Sequence, residues 1–201
     1  MSTIAVEPVT YGHDASVARF SVARYQRMIE TGILTPDDKV ELLENYVVIK
    51  MPRNPRHDYA IQRLLEILFP LRPSNWSLRV QSAILLSDSQ PEPDLAFVRG
   101  SATAYENNHP DAKDVGLVIE VADSSLLRDQ RDKARIYARG IIPFYWIVNL
   151  VDRRIEVHSE PSGPTDFPAY NSMEIVLADR EVPLVLDEKI QATIALKDLF
   201  G

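Results

Sequence analysis

The chain has 201 residues, 45% of them hydrophobic and 25% charged, with a net charge of −7 at neutral pH. That is enough apolar chain for one domain with a sizeable core, and it excludes disorder over most of the length. The absence of cysteine excludes disulfides, thiolate zinc sites and cysteine nucleophiles, and fits a reducing compartment.

The acidic balance weighs against tight non-specific binding to nucleic acid, which needs Lys and Arg for phosphate contacts. It does not exclude a nuclease, because clustered carboxylates count against net charge and a bound divalent ion inverts the local sign. Residues 1–18 read as a loose tail without the basic start and apolar segment of a secretory signal. The most apolar stretch, residues 140–148, falls short of the about 20 residues that span a bilayer. The expectation is a cytoplasmic protein with no membrane partner.

Helical spacing of Val22, Tyr25, Met28 and Ile29 after a capping Ser21 predicts a first helix that stops at Gly32. Residues 40–49 predict a hairpin turning at Asn45, a residue that tolerates left-handed backbone. After Pro55, residues 56–72 predict a helix with Ile61, Leu64, Leu65 and Leu68 on one face, closed by Pro70 and Pro73. Strands are expected over 76–86 and 93–98, the second opened by proline.

The almost unbroken apolar run 115–122 marks a strand buried on both faces. A helix capped by Ser124 or Ser125 then runs to Arg139 and ends at Gly140. Residues 144–149 form another buried strand, and 153–159 return as a hairpin. The segment 160–168 reads as a surface loop, followed by strands near 174–177 and 182–186 and a short terminal helix carrying Leu196 and Leu199. Strand, helix, strand between 115 and 149 implies a right-handed crossover with parallel strands. The expected fold class is α/β, a central mixed sheet flanked by helices with additional hairpins, in one domain over residues 19–201 with no internal repeat.

Five residues in this scheme need a reason. Glu120 sits inside a buried strand, where a charge is costly unless it is paired or holds a metal; the alternative is a strand-end carboxylate that reaches solvent. Asp94 opens the preceding strand, and Pro93-Asp94 is also a common turn pair. On a wheel of about 100° per residue, Leu126, Leu127, Ala134, Ile136, Tyr137, Ala138 and Ile141 form one apolar arc, opposite Arg128, Asp132, Arg135 and Arg139. Lys133 falls within that arc beside Asp129; it either folds back towards Glu120 or snorkels to the edge. Glu41, in the first hairpin, is either a site residue or an exposed carboxylate. His57, at the start of the second helix, suits proton transfer or phosphate binding, and equally a solvated cap.

Converging carboxylates form a hard oxygen site for Mg²⁺, with Mn²⁺ as a substitute, and a neighbouring lysine orients water or offsets phosphate charge. The nucleophile elbow, the Gly-rich phosphate loop and the His-Glu-x-x-His helix are all absent from the sequence.

The ordered segments Val40-Glu41-Leu42-Leu43-Glu44-Asn45, Pro55-Arg56-His57, Pro93-Asp94-Leu95-Ala96-Phe97-Val98, Leu117-Val118-Ile119-Glu120-Val121, 128–138 and 140–148 resemble the Uma-two family, named for restriction endonucleases, within the PD-(D/E)XK nuclease superfamily. The resemblance covers about Phe20 to Phe200. It implies a restriction-endonuclease-like core in which Asp94 and Glu120 bind the metal and Glu41 joins them. The superfamily's usual lysine stands two residues after the second acid, a place held here by Ala122; the helix residue Lys133 matches the family's replacement. His57, Asp129 and Tyr137 are accessory candidates. The family often has Asp-Gly in the first hairpin turn, where this chain has Glu44-Asn45. The activity implied is a Mg²⁺-dependent endonuclease acting on DNA, with a homodimer as one arrangement for cutting both strands. The competing reading is a catalytically idle nuclease fold that binds nucleic acid or a protein.

Overall fold

The structure, a computed structural model, describes residues 17–201, so that residues 1–16 of the expected tail lie outside the described residues. Among the described residues no helix is long and apolar enough to cross a membrane. A six-stranded mixed sheet organises the chain, in the order β3-β4-β5-β6-β7-β8. Its strands are β3 (Trp76–Val80), β4 (Leu95–Arg99), β5 (Val115–Ala122), β6 (Phe144–Asn149), β7 (Arg154–Pro161) and β8 (Tyr170–Leu177). Only the central pair, β5 with β6, is parallel, as the crossover requires; every other pair in the sheet is antiparallel.

Both faces are covered, which explains why all eight residues of β5 are buried. Side chains alternate between the faces. Leu117, Ile119 and Val121 enter one core with Phe97, Trp146 and the Ile61 and Leu64 side chains of helix α2 (Pro55–Leu68). Val118 and Ala122 enter the other with Ala96, Ile147, Ile136 and Tyr137. Glu120, between Ile119 and Val121, is thereby turned to the second face.

That second face is covered by the crossover helix and by the first hairpin, β1 (Val40–Leu43) and β2 (Tyr46–Ile49). The hairpin turns through Glu44 (φ 49°) and Asn45 (φ 67°), two successive left-handed residues whose twist matches the strands. Glutamate is a poor choice for such a conformation, but its carboxylate is held by Arg135 and, at 2.8 Å, by Arg139. The face of the helix read as opposite to the core therefore meets the hairpin rather than open solvent.

The helix after β5 is not one continuous α-helix. It consists of α3 (Leu126–Arg128), a π-turn over Asp129–Lys133, and α4 (Ala134–Arg139). A π-turn rotates the segment before it by about one residue, or about 100°, relative to the segment after it. That corrects the wheel: Leu127 is 66% exposed. Ile141, 58% exposed, lies beyond Gly140 in a left-handed conformation and leaves the arc for that reason.

Other boundaries shift for identifiable reasons. The first helix, α1 (Val22–Glu30), starts at Ser21, whose Oγ accepts the Arg24 N–H at 3.2 Å. Helix α2 (Pro55–Leu68) stops short of residue 72, because Pro70 lacks an N–H and its ring clashes with the preceding turn. The strand expected over 76–86 ends at Val80, since Gln81 adopts φ 45° and breaks the ladder. β8 begins at Tyr170 rather than 174, and β7 extends into the expected loop. β9 (Glu181–Leu186) pairs with β10 (Lys189–Ala195), a strand the sequence reading omitted, before α5 (Lys197–Phe200). Its turn, Asp187-Glu188, again uses two left-handed residues without Gly or Asn, and Ile190 points to solvent.

The tightest packing is at Gly116 in β5. A methyl group there would lie 2.6 Å and 2.7 Å from the buried Trp76 ring and 2.9 Å from Leu186 Cδ2. Gly116→Ala is expected to destabilise the protein by about 1–3 kcal/mol, the usual cost of overpacking a core. Urea denaturation measures this; an unchanged midpoint would mean that Trp76 moves aside without loss.

Candidate active site

Asp94 stands immediately before β4, and the antiparallel pairing of β4 with β5 brings it to Glu120. Its Oδ2 accepts the Val121 N–H at 2.9 Å and the His57 Nε2–H at 3.0 Å. Its own N–H donates to Glu120 Oε2 at 3.3 Å. His57 is thus part of the site. Asn54 caps α2 by accepting the His57 backbone N–H at 3.0 Å, which fixes the first turn and aims the imidazole at Asp94.

Glu120 Oε1 accepts hydrogen bonds from Lys133 Nζ at 3.1 Å and from the Tyr137 hydroxyl at 2.6 Å. Lys133 Nζ also donates to Glu41 Oε2 at 3.0 Å. One ammonium therefore joins the hairpin, the sheet and the crossover helix. Both Glu41 oxygens are engaged, since Oε2 also accepts the Glu92 N–H and Oε1 accepts from Arg128 Nη2 at 3.0 Å. Ala122, the superfamily's lysine position, points to the same face as Glu120 and is fully buried, and its small side chain leaves the space to the helix.

Asp129 is buried beside them, with Oδ2 accepting the Ser125 hydroxyl at 2.6 Å and its main-chain oxygen accepting the Tyr145 hydroxyl at 3.2 Å. All seven residues singled out in the sequence come together. Asp94, Glu120, Glu41, Lys133, His57 and Asp129 line a single cleft of about 630 Å³, and Tyr137 supports Glu120 from behind.

Arg128 was assigned to the opposite face, yet it reaches Glu41 and lines the cleft. It lies five residues before Lys133, a spacing that a π-turn brings onto one side and a regular wheel does not. No sequence signal distinguishes that turn from a regular one. Gln81 and Glu92, also lining the cleft, were not singled out.

The electrostatics are dominated by too many buried carboxylates for the cations present. Burial pushes the Glu120 carboxyl up to about 8, the charges of Asp94 and Asp129 add to that, and Lys133 and Tyr137 pull it back. Burial also raises Asp129, to about 6, with the Ser125 hydrogen bond and Lys133 opposing. For Lys133 burial favours the neutral amine, but Glu120 and Glu41 outweigh it and hold the ammonium above its ordinary value. For His57 burial is likewise outweighed, here by Asp94, and the imidazolium is favoured. Among the described residues, no three of Asp, Glu and His converge into a ready-made ion cage, since Lys133 stands between Glu41 and Glu120.

Glu120, Asp129 and His57 all have folded pKa values above their ordinary ones and lose stabilisation as pH rises; burial lowers His109 and His158, which act in the opposite sense, and the large Glu120 shift outweighs them. In the absence of metal, the melting temperature is expected to fall between about pH 5 and pH 8, and Glu120→Gln to flatten that fall. A melting temperature that rises over this range in the wild-type protein would contradict the charge balance described. Lys133→Met leaves Glu120 buried without its cation and Glu41 with Arg128 alone, and is expected to cost about 3–5 kcal/mol at neutral pH by chemical denaturation. A loss below about 1 kcal/mol would show that the pair contributes little.

Comparison with known proteins agrees with this architecture. The fold is similar to that of "a putative nuclease belonging to DUF820" from Anabaena variabilis, with a TM-score of 0.60 over 90% of this chain and 97% of that one, at 13% sequence identity. At that identity the likeness is one of fold. No curated protein matches the sequence. A family model described as "Uma2: Putative restriction endonuclease" matches residues 22–195, which include every residue of the site. The chain belongs to the Uma2 family.

Proposed function

We propose that the protein is a Mg²⁺-dependent endonuclease that hydrolyses phosphodiester bonds of DNA, with Mn²⁺ able to replace Mg²⁺. The observation that carries this reading is the buried Lys133 ammonium bonded to Glu120 beside Asp94 at the floor of an accessible cleft. The donor set fits a hard divalent cation. It is all oxygen, burial disfavours the charged form of Glu120 in a way that a bound cation would offset, and among the described residues no hydrogen bond ends on Asp94 Oδ1.

In this reading Asp94 and Glu120 hold the ion. A bound ion would polarise the phosphate, acidify a water and offset charge on the departing oxygen. Lys133 directs N–H groups at the phosphate or the attacking water and stabilises the charge that builds up as the bond breaks. Glu41, expected as a third ligand, carries a cationic donor on each oxygen, Arg128 on one and Lys133 on the other, whereas Glu120 Oε2 accepts only the Asp94 N–H at 3.3 Å. Its part is to hold Lys133 in place and to add negative charge near the ion. Tyr137 fixes the Glu120 rotamer through its short hydrogen bond. His57, paired with Asp94, is placed to pass a proton at the cleft floor.

A second reading, a nuclease fold used to bind nucleic acid or a protein, draws on the net charge of −7 and on Lys133 already acting as counter-ion to Glu41 and Glu120. It predicts neither ion binding at Glu120 nor cleavage.

Incubation of purified protein with plasmid DNA and Mg²⁺ or Mn²⁺ separates the two. Cleavage is expected, with losses of at least about 100-fold in Asp94→Ala and Glu120→Ala while both variants keep a cooperative melt. Cleavage retained in both variants would refute the assignment of the site. Absence of cleavage, together with a calorimetric Mn²⁺ titration that is identical in wild type and Glu120→Gln, would favour the binding module.

A further inference from the structure

We infer that the cleft admits a single unpaired nucleic-acid strand, so that the strand to be cut has to be separated from any partner before it reaches Glu120 and Lys133. This rests on the nuclease reading and specifies its substrate.

Depth is the first observation. Glu41, Glu120 and Lys133 are between 3% and 6% exposed, at the bottom of the cleft rather than on a concave surface. The volume, about 630 Å³, is that of a site for a drug-sized molecule, room for about one or two nucleotides. A duplex, whose major groove alone is about 12 Å wide, cannot bring a backbone phosphate to that floor without leaving its own helical path.

The walls are also tied to one another. Arg128, on the helix side, donates to the Ile49 carbonyl at 3.3 Å on the hairpin side. On the opposite flank Lys50 pairs with Glu92, and Arg53 donates to Gln81. At the end formed by α2, Asn54 donates to Asp123 at 2.8 Å. These bridges connect the segment 49–54 to every other wall, so widening the mouth to seat a duplex breaks several of them together.

The chemistry of the rim points the same way. Ile49 is 73% exposed and Met51 50% exposed, and both line the cleft. These two apolar side chains at the entrance suit the faces of unstacked bases, which a duplex keeps hidden. Lys39 lines the opening as a cation, and Lys50 and Arg53 add positive charge while tied to Glu92 and Gln81, but Asp37, Asp38 and Glu92 line the same opening. A paired second strand doubles the phosphate density to about one charge per 1.7 Å and brings it against those carboxylates.

The test uses the full-length protein, Mn²⁺, and labelled DNA of one sequence in three forms: single strand, blunt duplex, and a duplex with splayed, unpaired arms. Single strand and splayed arm are expected to be cut at least about tenfold faster than the duplex in kcat/KM, with cuts on the splayed substrate confined to unpaired nucleotides. Duplex cut as fast as single strand overturns the inference and leaves the nuclease reading intact. No cutting of any form, in wild type as in Glu120→Gln, overturns both. Replacing the entrance residues, Ile49→Ser with Met51→Ser, is expected to raise KM for the single strand about tenfold with kcat nearly unchanged; an unchanged KM would remove the proposed base contact.

Discussion

One buried ammonium group holds the site together. Lys133 Nζ is shared by Glu41 from the hairpin and Glu120 from the sheet, and its own backbone belongs to the crossover helix. Taking an ammonium and two carboxylates out of water costs several kcal/mol per ion unless each is paired and hydrogen-bonded. Three separate elements can therefore come together only if all three charges meet. The remaining hydrogen bonds serve that meeting: Tyr137 and the Asp94 amide complete Glu120, while Arg128 and the Glu92 amide complete Glu41. Burial still disfavours the charged form of Glu120, and the neighbouring Asp94 and Asp129 add to that, which is why its carboxyl is raised.

The crossover helix meets two demands that a regular α-helix would separate. Ile136 and Tyr137 have to fill the core above β5, while Arg128 has to reach Glu41 and Asp129 and Lys133 have to face the cleft. The π-turn over Asp129–Lys133 supplies the rotation between those two parts, at the cost of exposing Leu127. Such turns concentrate at functional sites because an inserted residue is unfavourable unless something needs it. Tyr145 and Gln130 steady this one, by donating to the Asp129 carbonyl at 3.2 Å and to the buried Glu156 at 2.9 Å.

The hairpin and the crossover helix are linked by arginines, of which Arg128 lines the cleft. Arg128 joins Glu41 and the Ile49 carbonyl, and Arg135 and Arg139 hold Glu44 at the hairpin turn. Exposed ion pairs are worth little singly, but together these fix the hairpin against the crossover helix. The same set lets a carboxylate occupy a left-handed turn position that Asn or Gly fills more easily.

The amino-acid sequence by itself determined a good deal. Strands β5 and β6 were legible because both faces are buried and the apolar runs are continuous, and the parallel crossover followed from chain handedness. Glu120 and Lys133 stood out because each breaks an apolar pattern that had to be buried. Local patterning also marked Ser21, the proline opening α2, and Asn45. What only the tertiary structure decided depends on neighbours distant in the chain. The pairing of β4 with β5 turns a turn-like Asp94 into Glu120's companion, and the cap of α2 aims His57 at it. Arg128 entered the site through a π-turn with no distinguishing composition, and β10 formed on a turn without Gly or Asn. Periodicity reports which face a residue shares with its own segment; charge neutralisation across segments is settled only when the segments meet.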